Sequence, residues 1–390
     1  MSNSLASIDF ATEQMPGPHL HQTLRRLREQ HPVSPARFAG LPAFVISGHA
    51  ELAEAFRDNQ RFPPANAYRL TFEPVVGVTF QTMEDEAHRV YRRLATPAFR
   101  SAAVERMEVE GLAQLAHGLI DAMPDGGCDL ARYFTHRYSF LVISRMLGIP
   151  FDREEEFREW ARGFLEFRRN ERYARECARQ ITAYLVPILG QRRRQPRDDV
   201  ISGLILADAD GHRLDDEEIL ANIRLLFAAG ASTTTDAMGN LLHALLTVPG
   251  AWATLRTEPG LRSNAIEELL RWESPVAVLP RISATAPIEF AGVEIPPNTF
   301  CLFAIAAANR DPKVYVDANR FDLGRHSDNK LLSFGPGPRL CPGMHLARKQ
   351  MAVALDVLVE RLPRLQLVEP AAALPIGTVL RGPAALPVSY

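Results

Sequence analysis

One stretch of this chain has few places to go. Between Leu214 and Pro249, apolar residues fall on every side of a helical wheel: Ile219, Leu220, Ile223, Leu225, Leu226 and Phe227, then Leu241, Leu242, Leu245 and Leu246. A helix that is apolar all round is buried, so the rest of the chain must pack around it. Asp215, Asp216, Glu217 and Glu218 place acids at its positive start, and Pro249-Gly250 stops it. Its middle runs Phe227-Ala228-Ala229-Gly230-Ala231-Ser232-Thr233-Thr234-Thr235-Asp236. Glycine and three successive β-branched threonines are poor residues for a helix interior. A buried helix that weakens itself at this point predicts a bend that serves a purpose. A threonine hydroxyl bonding back to the carbonyl one turn earlier has the same bending effect.

The 390 residues are ample for a core with an enclosed pocket. With 46% hydrophobic residues and a net charge of −2, the composition argues against disorder and against general nucleic-acid binding. Cys128, Cys177, Cys301 and Cys341 are scattered, with no Cys-x-x-Cys pair, which fits a reducing cytoplasm and provides no disulfide or zinc framework. Residues 1–32 have no apolar signal-peptide core, and no run of about 18 apolar residues predicts a membrane span.

A second stretch carries chemistry: Ser333-Phe334-Gly335-Pro336-Gly337-Pro338-Arg339-Leu340-Cys341-Pro342-Gly343-Met344. Glycines and prolines make a tight loop, and Leu346, Met351, Leu355, Leu358 and Leu362 then recur at helical spacing. A lone thiol therefore stands at a helix entry, where the positive helix end is expected to lower its pKa. Gly335, Gly337 and Gly343 let something large and flat approach the backbone. A thiolate in such a loop suits a haem iron.

At these residues the chain resembles the cytochrome P450 family, through its Phe-Gly-x-Gly-x-(His/Arg)-x-Cys-x-Gly signature. Ala229, Gly230, Thr233 and Thr234 resemble the family's Ala-Gly-x-(Asp/Glu)-Thr-Thr oxygen groove, and Glu268-Leu269-Leu270-Arg271 its Glu-x-x-Arg. The resemblance runs over about residues 33–390 and implies a mainly α fold with a smaller β-rich part. It implies one domain, 1–390, with about 1–32 as an N-terminal extension packed on it.

The resemblance also assigns expected roles. Cys341 is the axial ligand of haem b, with Phe334, Gly335 and Gly343 around the cofactor. His88, Arg92, Arg281 and Arg339 hold the propionates. Thr233, with Ala229, Gly230 and Ser232, forms the oxygen groove. Residues 62–83 read as a long irregular segment that roofs a substrate pocket. Its candidate lining is Arg69, Phe72, Val76 and Phe80, joined by Phe227, Val276, Val278 and Ile376. Arg168, Arg169 and Arg172 are candidates to meet an anionic substrate. Glu268, Arg271 and Arg320 form a buried structural network, and Arg89, Arg93, Arg100 and Lys349 a basic docking face.

Two departures stand out. Ser232 occupies the place of the family's acid, and serine can only orient water or a proton. Pro342 has no N–H to offer the neighbouring sulfur, which predicts more charge on the thiolate and a lower iron potential. The implied activity is insertion of one oxygen atom of O2 into a small hydrophobic molecule. No flavin or iron–sulfur motif is present, so a separate ferredoxin with its NAD(P)H-dependent reductase is the expected electron source. A monomer that contacts neither nucleic acid nor membrane is expected. The alternatives are a peroxide-driven peroxygenase, prompted by Ser232, and a non-catalytic haem sensor.

Overall fold

The structure is a computed structural model, and it describes residues 5–107, 109–165, 170–326 and 330–390. Arg168 and Arg169 lie outside the described residues. The protein is 54% helical with a smaller sheet part.

The central helix runs without a break from Asp216 to Thr247. Asp215 caps it by accepting from the Glu218 N–H, and Glu218 reaches back to the Asp215 N–H. Residues 219–228 and 237–245 are buried, whereas 229–236, apart from Thr234, are accessible inside the protein because they line cavities. The hydroxyls of Ser232 and Thr233 donate to the carbonyls of Ala228 and Ala229, both at 2.8 Å. Back-bonding therefore occupies the weakened segment while the helix stays continuous. Helix His136–Leu147 packs closely there: a Cβ at Gly230 would sit 2.9 Å from Ile143 Cδ1. Gly230 thus serves helix approach as well as the cavity wall.

The β-rich part is a four-stranded sheet of β1 (Val33–Phe38), β2 (Leu41–Ile46), β3 (Leu279–Ile282) and β4 (Phe300–Phe303), in the order β1-β2-β4-β3. The β1–β2 turn falls at Ala39-Gly40, both with positive φ. A second hairpin, Ile288–Phe290 with Val293–Ile295, turns at Ala291-Gly292, and a further turn at Pro297-Asn298 leads into β4. Residues 62–83 are more regular than expected, with helices Pro64–Thr71 and Glu73–Val76. Pro64 and Pro74 sit in first turns, where a missing N–H costs nothing, so they start helices instead of breaking them.

Helix Pro18–Gln30 packs Leu20, Leu24 and Leu27 into the core that holds Phe38, Val45 and Leu302. A buried charge cluster ties it down further. His21 Nε2 lies 2.9 Å from Glu273, Arg381 Nε donates to the same carboxylate at 2.7 Å, and Arg310 lies 4.5 Å over the Trp272 ring. Burial, reinforced by the Arg310 charge, pushes His21 down to about 4. The Glu273 carboxyl lies well below the usual range because the histidine and arginine contacts outweigh burial. His21 is therefore neutral when folded and takes up a proton on unfolding below its ordinary value near 6.5. Its contribution to stability is complete above that pH and is lost toward pH 4, at up to about 1.4 kcal/mol per pH unit. Denaturation midpoints measured between pH 7.5 and 5 are expected to fall, and His21→Gln to fall less steeply. Equal slopes would contradict the assignment.

Glu268 and Arg271 form a second buried pair. Arg271 Nε and Nη2 donate to the two Glu268 oxygens, both at 2.7 Å, and Arg271 also bonds the carbonyls of Asn309 and Ala318. The third cation is not Arg320, whose side chain is 65% exposed on Asp322 and which offers only its carbonyl. Arg325 takes that place, with its Nε donating to Glu268 at 3.1 Å.

Candidate active site

The central helix and the cysteine loop face each other across a cavity of about 230 Å³. Ala229, Gly230, Thr233 and Thr234 line it from the helix, and Phe334, Gly335, Cys341 and Gly343 from the loop. Local geometry explains the glycines. Gly335 has φ +66°, and Gly337 has φ +131° with its Cβ position 2.6 Å from the Phe56 carbonyl oxygen, so no side chain fits there. The Cys341 N–H donates to the Phe334 carbonyl at 2.9 Å and closes the loop. Asn309 holds the start of the loop, accepting from Leu332 and donating to Ser333. Helix Met344–Arg361 follows directly.

Burial pushes the Cys341 thiol above its ordinary value, outweighing the Gly343 N–H and the Arg92 and Arg348 charges that lower it. The helix entry alone therefore does not produce a free thiolate. A metal that displaces the proton does. Although Pro342 cannot donate, the sulfur keeps one donor in the Gly343 N–H.

One edge of the cavity gathers buried basic side chains. Arg281, on β3, has no acidic partner among the described residues and lies over the Tyr68 and Phe303 rings. Arg339 donates to the Met83 carbonyl at 2.7 Å, but its buried Nε has no partner. His88 stacks on Phe80, its buried Nε2 also has no partner, and burial with the Arg339 charge pushes it down to about 4. Orphaned donors beside a flat apolar slot fit a planar group with two carboxylates. The residues present thus fit a haem, with Cys341 as its sulfur ligand. Arg92 instead reaches the Leu340 carbonyl and lines a groove on the outer side of the loop, with Arg89, Arg93, Arg100 and His345. Lys349 does not join that groove. Its Nζ caps the carbonyls of Val104, Glu105 and Met107.

Of the expected substrate contacts, Phe80 and Val276 line the cavity. The others do not. Arg69 binds the Thr82 carbonyl and Glu84 toward solvent. Phe72 packs on Tyr68, Val76 is core with its carbonyl held by Arg224, and Val278 lies in the sheet core. Ile376 pairs with Gly382 at the chain's far end. Phe227 belongs to an aromatic cluster, 4.7 Å from Phe157 and 5.4 Å from Phe140. Leu225 and Leu226 line the cavity instead. They stand four and three residues before Ala229, so helical phase was a usable signal. Ser232 also faces away, into a separate cavity behind the helix.

A thiol, a facing threonine and a basic edge around one cavity fit a haem-thiolate oxygenase. The comparisons agree. The Cytochrome P450 family profile matches residues 164–260 and 261–368, more than half of the chain. The 6-deoxyerythronolide B hydroxylase of Saccharopolyspora erythraea is 31% identical over 364 residues, covering 89% of each chain. The cytochrome P450 monooxygenase PikC of Streptomyces venezuelae is 31% identical over 393 residues, covering 98% of this chain and 92% of that one. The solved structure of cytochrome P450 CYP109Q5 from Chondromyces apiculatus superposes with a TM-score of 0.88 at 26% identity, over 99% of this chain and 98% of that one. This chain belongs to the cytochrome P450 family and is a monooxygenase that carries a haem-thiolate cofactor. Among the described residues, no helix is long and apolar enough to cross a membrane.

Proposed function

We propose that the protein, with haem b bound through Cys341, inserts one oxygen atom of O2 into a small hydrophobic secondary metabolite by hydroxylation, epoxidation or O-dealkylation. The observation that carries this reading is the cavity wall. Opposite Cys341 it is formed by Leu225, Leu226, Ala229 and Val276, and no carboxylate lines the cavity among the described residues. Apolar walls of that kind take apolar ligands. The names of relatives support the class: a mycinamicin IV hydroxylase/epoxidase is 32% identical over 376 residues. The haem supplies oxygen activation when bound. The chain's own residues hold it by its carboxylates, exclude water with apolar walls, and present the Thr233 hydroxyl on the oxygen side. Arg281, Arg339 and His88 are the holders at the buried edge; Arg92 acts from the groove side.

Electrons come from an NAD(P)H-dependent reductase and a ferredoxin, an acidic partner suited to the groove of Arg89, Arg93 and Arg100. The protein works as a monomer in the cytoplasm. A second reading, turnover driven by peroxide, is favoured by Ser232 and by the missing carboxylate. The test is product formation from ligands that shift the ferric spin state. Turnover with NAD(P)H, reductase and ferredoxin, well above that with peroxide alone, supports the first reading. Equal rates support the second, and no product under either condition overturns both.

A further inference from the structure

Behind the central helix, on the side away from the cysteine, lies a second cavity. Ala228, Ala231, Ser232, Thr235 and Asp236 line it from the helix, with His136, Phe140, Arg158 and Ala161 opposite. Asp236 is its only acid among the described residues. The carboxyl makes no hydrogen bond or ion pair with any described residue, while Arg158 is engaged with Glu154 and Thr235 with the Thr135 carbonyl. Asp236 also packs against the backbone of Gly382, where a Cβ would come within 2.5 Å of its Oδ1. Ser232 and Asp236 are four residues apart and share one helical face. Ser232 lines the rear cavity, and the next residue, Thr233, lines the front one.

We propose that Asp236 supplies protons to the oxygen site, through the rear cavity that it shares with Ser232 and across the Ser232–Thr233 step. This deepens the monooxygenase reading and rests on it. Each turnover puts two electrons and two protons into O2. One oxygen enters the substrate and the other leaves as water. No carboxylate in the front cavity supplies those protons, so the nearest acid on the same helix is the one behind it. Asp236 gives a proton to water in the rear cavity and regains one from solvent, with no net change. Burial alone pushes its carboxyl up to about 7, so it both gives and takes a proton near neutral pH. The groups facing the cavity from the packed helices, His136 and Arg158, are not among the causes of that shift.

The test uses the haem-loaded protein at saturating ferredoxin and reductase, with an ethoxycoumarin as hydrophobic probe. The rate of NAD(P)H oxidation, less the part recovered as superoxide, is followed, because release of peroxide consumes two protons as well whereas release of superoxide consumes none. In the parent the rate should fall as pH rises through 7. Asp236→Asn should lower it about tenfold or more and flatten that profile, and adding Ser232→Asp should restore the rate. An unchanged rate and profile in Asp236→Asn, or a profile abolished by His136→Gln alone, overturns the proposal. Infrared titration of the ligand-free protein is independent of haem loading. It should show a carboxyl protonating near pH 7, and the absence of one overturns the proposal even where Asp236→Asn fails to fold. Either failure leaves the haem-thiolate spectrum intact, so it is distinct from failure of the monooxygenase reading.

Discussion

Glu268→Ala is expected to give little or no soluble, haem-loaded protein. Glu268 accepts from two Arg271 nitrogens, from Arg325 and from the Asp322 N–H. Its side chain is 1% exposed and that of Arg271 4%. Removing the carboxylate leaves the Arg271 and Arg325 guanidinium groups without their buried counter-charge. Stranding a buried charge costs about 3–5 kcal/mol, a large part of the roughly 5–15 kcal/mol that holds a domain folded. The damage is also badly placed. Arg271 holds the carbonyl of Asn309, whose side chain holds the start of the cysteine loop. Arg320→Ala should be nearly silent by comparison, since its side chain is exposed, whereas Arg325→Ala should be costly. Soluble yield, haem absorbance and denaturation midpoint measure this. A haem-loaded Glu268→Ala protein with the parent's midpoint would refute it.

Cys341→Ala is expected to abolish oxygenation while sparing the fold. The loop is closed by the backbone N–H of residue 341 and by Asn309, neither of which needs the sulfur. Losing a small, partly accessible side chain falls within about 1 kcal/mol of neutral. The edge formed by Arg281, Arg339 and the neutral His88 remains to hold carboxylates. What disappears is the sulfur donor, and with it the electron push that oxygen activation needs. Product formation should drop to background with the denaturation midpoint nearly unchanged. Retained activity, or collapse of the fold, would contradict the account.

The sequence was most legible where a signal is local. The loop around Cys341 and the buried helix from Asp216 to Thr247 stand where spacing and periodicity place them. Phase within the helix was legible too, but misapplied to Phe227, which shares a stripe with Gly230 toward helix His136–Leu147. Illegible were features that depend on how irregular chain folds back. No spacing separates Arg320 from Arg325, because only the path of residues 317–326 decides which guanidinium reaches Glu268. Arg69 looked like a pocket cation, yet the helix that Pro64 starts turns it toward Glu84. The Cys341 thiol shows a competition that a sequence cannot settle, since the helix entry lowers its pKa and burial raises it.

The chemistry proposed for this protein depends on a bond between the Cys341 sulfur and haem iron. Its most direct test is the absorption spectrum of the purified protein, reduced and exposed to carbon monoxide. The strongly red-shifted band of a sulfur-bound haem is predicted, and should be absent from Cys341→Ala. A freshly folded, haem-loaded protein without that band would contradict the claim.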